Sequence, residues 1–112
     1  MNMKNRLLIR LPQADEMLID ELILTASDRI KLRVGSREKE LPTELHSICI
    51  EVVTAMYRRH EMQHEGVESE GVDVFSVKFV NKLLDEYEEE FQAYKNMRDD
   101  EEDNTRGVVR FL

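Results

Sequence analysis

The residues best suited to chemistry form the run His60-Glu61-Met62-Gln63-His64, which matches the H-E-x-x-H pattern of zinc proteases. On a helix, residues four positions apart share a face, so two imidazoles can bind the same Zn²⁺ ion. The intervening Glu61 would then act as a general base on the metal-bound water. The pattern therefore predicts a hydrolytic metal site, provided that the helix lies inside a folded enzyme.

Three features instead favour a chance match at a polar helix end. Arg58, Arg59 and Glu65 place charges on both sides of the motif, whereas the motif helix of a protease is packed inside the enzyme. A catalytic zinc site needs a third protein ligand, and no acidic residue is singled out for that role. A chain of 112 residues is also short for a fold that must form a substrate cleft. We therefore expect no enzymatic activity, no catalytic residue and no metal or other cofactor, and keep a small zinc metalloprotease as an alternative.

The composition indicates one acidic, well-solvated domain. Asp and Glu number 24 against 16 Lys and Arg, which gives a formal net charge of −8, whereas tight nucleic-acid binding relies on clustered basic residues. No apolar run approaches the roughly 20 residues of a membrane-spanning helix. Lys4, Arg6 and Arg10 interrupt the first apolar residues, so we expect no signal peptide. The single Cys49 lies in an apolar helical stripe, which indicates a small core residue and not a reactive thiol.

The spacing of the apolar residues predicts a mainly α protein, a small bundle of three main helices preceded by a short helix over residues 3–11. Asp15 can cap the first main helix and Gly35 can end it. Pro42 suits the first turn of the second, where its missing N–H costs nothing. The residues that recur at three- and four-residue steps are Leu18, Ile19, Leu22, Ile23, Ala26 and Ile30 in the first; Leu45, Ile48, Cys49, Val52, Val53, Met56 and Tyr57 in the second; and Val80, Leu83, Leu84, Tyr87, Phe91 and Tyr94 in the third.

Residues 65–79, between the last two main helices, differ in character. Gly66 and Gly71 interrupt this segment, and its later part holds β-branched and aromatic residues in partial alternation, namely Val72, Val74, Phe75, Val77 and Phe79. Such a segment predicts a short β-hairpin or an extended loop. In the third helix, the acidic residues Glu86, Glu88, Glu89 and Glu90 are expected to form a solvated face.

Residues 1–98 are expected to form the helical domain, and residues 99–112 a separate tail. Five consecutive acidic residues, 99–103, repel one another and predict a flexible spacer. The apolar and β-prone residues that follow can fold back on the chain's own core, or they can dock on another chain by strand addition or pocket insertion. The sequence leaves both alternatives open.

From Leu41 onward the sequence resembles the head–tail connector (adaptor) proteins of tailed phages and prophages of Gram-positive bacteria. The shared features follow one order: Leu41-Pro42 with Glu44-Leu45, Tyr57 and then Arg59, Glu65-Gly66, Ser69-Glu70, Val72, Ser76, Phe79, Tyr94, and the terminal Val109-Arg110-Phe111-Leu112. Upstream, the stripe through Leu22 and Ile30 resembles the family's first long helix. The chain departs from the family at Arg58, where Asn is usual, and in the longer step that holds His60 to His64.

The resemblance implies a non-enzymatic ring, commonly dodecameric, beneath the portal protein. Such a ring extends the DNA channel and provides a platform for neck and tail proteins. The expected partners are the portal, neighbouring copies of the chain and a downstream neck or tail-completion protein. The expected location is the virion, with the host cytoplasm during assembly.

The residues expected to contact these partners fall in two regions. Those in the hairpin or loop are Glu65, Gly66, Ser69, Phe75 and Phe79, and those of the docking tail are Val109, Arg110, Phe111 and Leu112. A regulatory protein-binding module, such as an antitoxin-like partner, is a further alternative, because an acidic surface and an apolar tail would also serve that function.

Overall fold

The computed structural model describes residues 2–64 and 73–110. These residues form five α-helices, one 3₁₀ turn and no strand. The helices are α1 (Met3–Arg10), α2 (Glu16–Val34), α3 (His46–His64), α4 (Val77–Asp85) and α5 (Glu88–Arg110), and the 3₁₀ turn (Thr43–Leu45) leads into α3. The predicted mainly α bundle is confirmed. None of the helices in the described part of the chain is both long and apolar enough to cross a membrane.

The predicted boundaries of the first main helix are confirmed. The Asp15 side chain accepts a hydrogen bond from the Met17 N–H at 2.9 Å, which satisfies one of the free donors at the start of α2. Gly35 follows the last residue with φ 70°, the left-handed conformation that only glycine adopts without strain. These two residues fix the length of α2.

The core lies mainly between α2 and α3, with α1, α4 and α5 packed around them. The side chains of the predicted α2 and α3 stripes meet there and are removed from water, as are residues from the later helices; these buried residues include Ile19, Leu22, Ala26, Ile30, Cys49, Val52, Val53, Met56, Val80, Leu84 and Phe91. Leu18 and Ile23 are half-buried at the margin of this core. The predicted buried faces are therefore confirmed.

The short α1 packs on both main helices. Its Leu7 is fully buried, and the Asn2 side chain caps the helix by accepting from the Asn5 N–H at 2.8 Å. Lys4 Nζ lies 3.4 Å from Glu16 and 3.3 Å from Asp20, so α1 is also tied to the start of α2 by charge.

The structure differs from the sequence-based prediction at the start of α3. Pro42 does not lie in the first turn of the helix, as predicted, but precedes the 3₁₀ turn, where its carbonyl accepts from the Leu45 N–H at 3.0 Å. The tighter turn brings Leu41 and Leu45 into the core, and α3 then begins at His46.

The predicted hairpin or extended loop does not reach Phe79. Residues 65–72 lie outside the described part of the chain, but residues 73–76 form a turn and α4 begins at Val77. The Asp73 side chain accepts from the Phe75 N–H at 2.9 Å, and the Ser76 hydroxyl accepts from the Phe79 N–H at 3.2 Å. These two local bonds start a helix in a segment whose residue types favour a strand.

The predicted third main helix is divided in two. α4 ends at Asp85, and α5 begins at Glu88 and continues to Arg110. The backbone of the acidic run 99–103 therefore continues α5, where a flexible spacer was expected. Of these five residues only Glu101 and Glu102 are good helix formers. Extending an existing helix adds one hydrogen bond for each residue fixed, which opposes the repulsion between the charges.

Candidate functional site

The H-E-x-x-H run forms the last residues of α3. His60 is half-buried and Glu61 is exposed. Glu61 borders an open cleft of about 170 Å³ whose other lining residues are Arg10, Leu11, Pro12, Gln13, Ala14 and Tyr57. This lining contains one carboxylate and no histidine. Among the side chains that the structure describes, no three His, Cys, Asp or Glu residues come together as ligands of a metal ion.

Purified protein is expected to hold well under one Zn²⁺ per chain, and replacing Glu61 by Gln is expected to change neither the zinc content nor the stability. Because Glu61 is exposed, the free energy of unfolding should stay within about 0.5 kcal/mol of the parent value. Metal analysis and thermal unfolding, each with and without a chelator, provide the measurements. If the purified protein instead holds about one Zn²⁺ per chain, and the variant His64→Ala loses this zinc, a metal site is established.

Cys49 lies in the core between α2 and α3. Its side chain is fully buried, and its Sγ atom is 3.6 Å from the Ser27 hydroxyl oxygen. Burial raises the pKa of the Cys49 thiol from 9.0 to about 11. Since the thiolate is the nucleophile, the reactive form is almost absent at neutral pH. The prediction that Cys49 is a core residue is confirmed.

A groove of about 420 Å³ lies between α2 and the connection that leads to α3. Lys31 Nζ donates to the Lys39 carbonyl at 2.9 Å and lies 3.6 Å from an Asp28 oxygen. His46 Nε2 lies 3.0 Å from the Leu41 carbonyl oxygen. The Lys31–Lys39 bond holds the connection against α2, and the His46 contact joins the connection to the start of α3, so these side chains have a structural role.

Arg33 joins α2 to the junction between α4 and α5. Its Nη1 atom lies 3.1 Å from an Asp85 carboxylate oxygen and 3.4 Å from a Glu88 carboxylate oxygen. Its guanidinium carbon lies 5.9 Å from the centre of the Phe91 ring, within the range of a cation–π contact. Asp85 ends α4 and Glu88 begins α5, so a single cation binds both helices where they meet.

An acidic surface covers the same junction on the solvent side. Glu86, Glu89 and Glu90 are exposed, which confirms the predicted solvated face. Partial burial raises the pKa of Tyr87, and the carboxylates of Glu51, Glu86 and Glu90 add to this shift. A phenol responds in this way when negative charges surround it, because its ionised form is then disfavoured. This surface repels nucleic-acid phosphates.

The two predicted contact residues near α4 have different environments. Phe75, in the turn before the helix, is 39% exposed. Phe79, in the first turn of α4, is half-buried and packs against the core. Phe75 therefore exposes more of its side chain to solvent than Phe79 does. Glu65, Gly66 and Ser69 lie outside the described residues.

The predicted docking tail begins at the end of α5. Val109 and Arg110 are the last two residues of that helix, and Phe111 and Leu112 lie outside the described residues. Within the described backbone, the tail residues thus extend α5. Their assignment as contacts for a partner remains a prediction.

Sequence reasoning missed an exposed apolar row on α2. Met17, Leu24 and Leu32 are 79%, 57% and 69% exposed, respectively. At about 100° per residue, positions 17, 24 and 32 fall on one side of the helix, opposite the buried Leu22 and Ala26. The helical spacing of these three residues was visible in the sequence. Large apolar side chains aligned in solvent are a feature of contact surfaces.

A family model described as "phage gp6-like head-tail connector protein" matches residues 1–95, which include α1 to α4 and the first turns of α5. The resemblance noted in the sequence to head–tail connectors is thereby confirmed at the level of the family. No curated protein and no solved structure matches the chain.

Proposed function

Because the chain belongs to the phage gp6-like head–tail connector family, we propose that it is a structural, non-enzymatic protein of a tailed-phage virion that joins the DNA-filled head to the tail. The observation that carries this proposal is the family match itself, which spans residues 1–95 of 112. The buried, protonated Cys49 agrees with a structural function.

In this proposal, copies of the chain form a ring beneath the portal protein and extend the channel through which DNA passes. Exposed carboxylates at the α4–α5 junction support this arrangement, because a negative wall does not retain the phosphates of passing DNA. The outer side of the ring provides a platform for the neck and tail proteins. Ring formation requires a surface by which copies bind one another, and α2 and α4 offer such surfaces.

The C-terminal residues Val109, Arg110, Phe111 and Leu112 are proposed to dock on the portal. Two large apolar side chains at the end of a charged helix gain free energy when a partner's pocket removes them from water. Arg110 can add a charge-assisted hydrogen bond to a carboxylate there. The segment of residues 65–75, with Phe75 exposed, is proposed to contact a neighbouring copy or a later neck protein.

A phage that carries a stop codon early in this gene tests the proposed function. We expect DNA-filled or leaking heads and separate, complete tails by electron microscopy, with particles restored when the gene is supplied in trans. The matched control is a stop codon in a tail-fibre gene, which leaves heads and tails joined. Normal tailed particles without this protein would refute the proposal.

A further inference from the structure

Two exposed surfaces of the chain each combine apolar side chains with charged ones. The charges are negative on one surface and positive on the other. The first, the α2 surface, contains Met17, Leu24 and Leu32 together with the exposed carboxylates of Glu21 and Asp28. The second, the α4 surface, contains Phe75 and Val77, which are 39% and 48% exposed, together with the exposed Lys78 and Lys82.

The charges on these surfaces are available to a partner. Within the described part of the chain, Glu21, Lys78 and Lys82 form no ion pair, and the contact of Asp28 with Lys31 is a 3.6 Å pair within the same helix. An acidic surface and a basic surface of this kind are electrostatically complementary, which fixes orientation more than it adds affinity. Each surface adds apolar area that a contact would remove from water.

The two surfaces lie on different sides of the molecule. α4 packs against both α2 and α3 through the buried Val80 and Leu84. α2 meets these helices with its Leu22 and Ala26 side, so its exposed row points away from them. Lys78 and Lys82 lie on the solvent side of α4, opposite its buried residues. A contact between the two surfaces therefore cannot form within one chain.

We propose that the α2 surface of one copy packs against the α4 surface of the next copy. This inference rests on the proposed function, since it names the contact by which the ring forms. A contact between two different surfaces of identical copies is head-to-tail, and it repeats until the rotation between copies closes a ring. In an open chain the two end copies make one contact each. Closure joins these ends by a further contact within the same assembly, so the ring is stable although a single contact is weak.

Cross-linking in assembled particles tests the contact directly. The double variant Leu24→Cys/Lys78→Cys is introduced into the phage, and purified heads are treated with a bifunctional maleimide. Both positions are exposed, and the native Cys49 is buried, so the added cysteines react and the fold is retained. We expect a series of covalent dimers, trimers and larger multimers from the double variant, and monomers from either single variant.

Charge reversal provides an independent readout. Glu21→Lys or Lys78→Glu alone is expected to raise the protein concentration needed for ring assembly about tenfold, because each places like charges opposite one another in the contact. The two changes together should restore assembly, because each copy then presents both reversed charges. Glu89→Lys, at an exposed carboxylate outside both surfaces, is the matched control and should have no effect.

The outcomes separate this inference from the proposed function. The α2–α4 contact is refuted if rings form normally but the double variant gives no covalent multimers. It is also refuted if the single variant Leu24→Cys gives cross-linked dimers. Either result leaves the connector function intact. Particles whose necks contain no ring of this protein would refute the proposed ring itself.

Discussion

Replacing Phe91 by Ala is expected to lower the free energy of unfolding by about 3–5 kcal/mol, the range for a large aromatic side chain removed from a core. The Phe91 side chain is fully buried in the first turn of α5, and the Arg33 guanidinium lies 5.9 Å from its ring centre. Its loss leaves a cavity where α5 meets α2 and also removes a contact of Arg33. For a domain of this size, unfolding in urea should show a clearly lower midpoint.

The matched control is the same substitution at Phe75. Because Phe75 is 39% exposed, its truncation removes little buried area, and the expected loss is below about 1 kcal/mol. The comparison is made with dilute protein, so that contacts between copies do not contribute. Equal losses at the two positions would show that α5 is not anchored through Phe91.

Deleting residues 108–112 is expected to abolish stable attachment of tails to DNA-filled heads while leaving the isolated protein folded. Burial of Phe111 and Leu112 in a partner contributes roughly 1.5–3 kcal/mol each, so loss of both weakens docking by several powers of ten. The deletion removes the last three residues of α5, about 25 Å along the helix from the buried Phe91, together with residues 111 and 112. Electron microscopy of particles and circular dichroism of the purified protein are the two measurements.

The double variant Phe111→Leu/Leu112→Met is the control for this deletion. It keeps the apolar character and the length of the chain, and particles should remain attached. A truncated protein that loses several degrees of thermal stability would show that the tail belongs to the chain's own core. That result would refute the docking proposal without affecting membership of the family.

The sequence predicts the part of the fold that depends on local periodicity. The α2 stripe from Leu22 to Ile30 repeats at helical spacing, and its ends are marked by a carboxylate at Asp15 and a glycine at Gly35, each of which satisfies backbone groups at a helix end. The α3 stripe, from Leu45 to Tyr57, is similarly regular. When the apolar stripe and the capping residues indicate the same helix bounds, the helix can be predicted without information from distant residues.

The division between α4 and α5 could not be predicted in the same way. Residues 77–94 contain no Gly or Pro, and their apolar positions fit one continuous helix. The break lies where Arg33, more than 50 positions earlier in the chain, pairs with both Asp85 and Glu88. Local propensity does not include such a contact. The start of α4 could have been predicted from the sequence, because Ser76 is a typical N-cap residue. The β-branched residues around it favoured a strand and led to the wrong prediction.

The candidate contact residues were predictable only in part. Phe75 stood out as an aromatic residue in a loop-like segment, and the structure leaves its ring partly exposed. Phe79, of the same residue type and four positions later, packs against the core. The sequence alone does not distinguish Phe75 from Phe79. The difference depends on which side of α4 meets the core, and the packing of Val80 and Leu84 in the folded protein sets that side.

The position of Arg33 has a mechanical consequence for the far end of α5. A helix of 23 residues at about 1.5 Å per residue is about 34 Å long. The helix is held from its first turn, where Arg33 contacts Glu88 and Phe91, to Tyr94, which packs against the core. The 16 residues beyond Tyr94 extend about 24 Å, so a rotation of about 10° at the base of this segment moves the tip by about 4 Å. The direction of the last residues of α5 is thus set in part by a side chain on another helix, about 30 Å away.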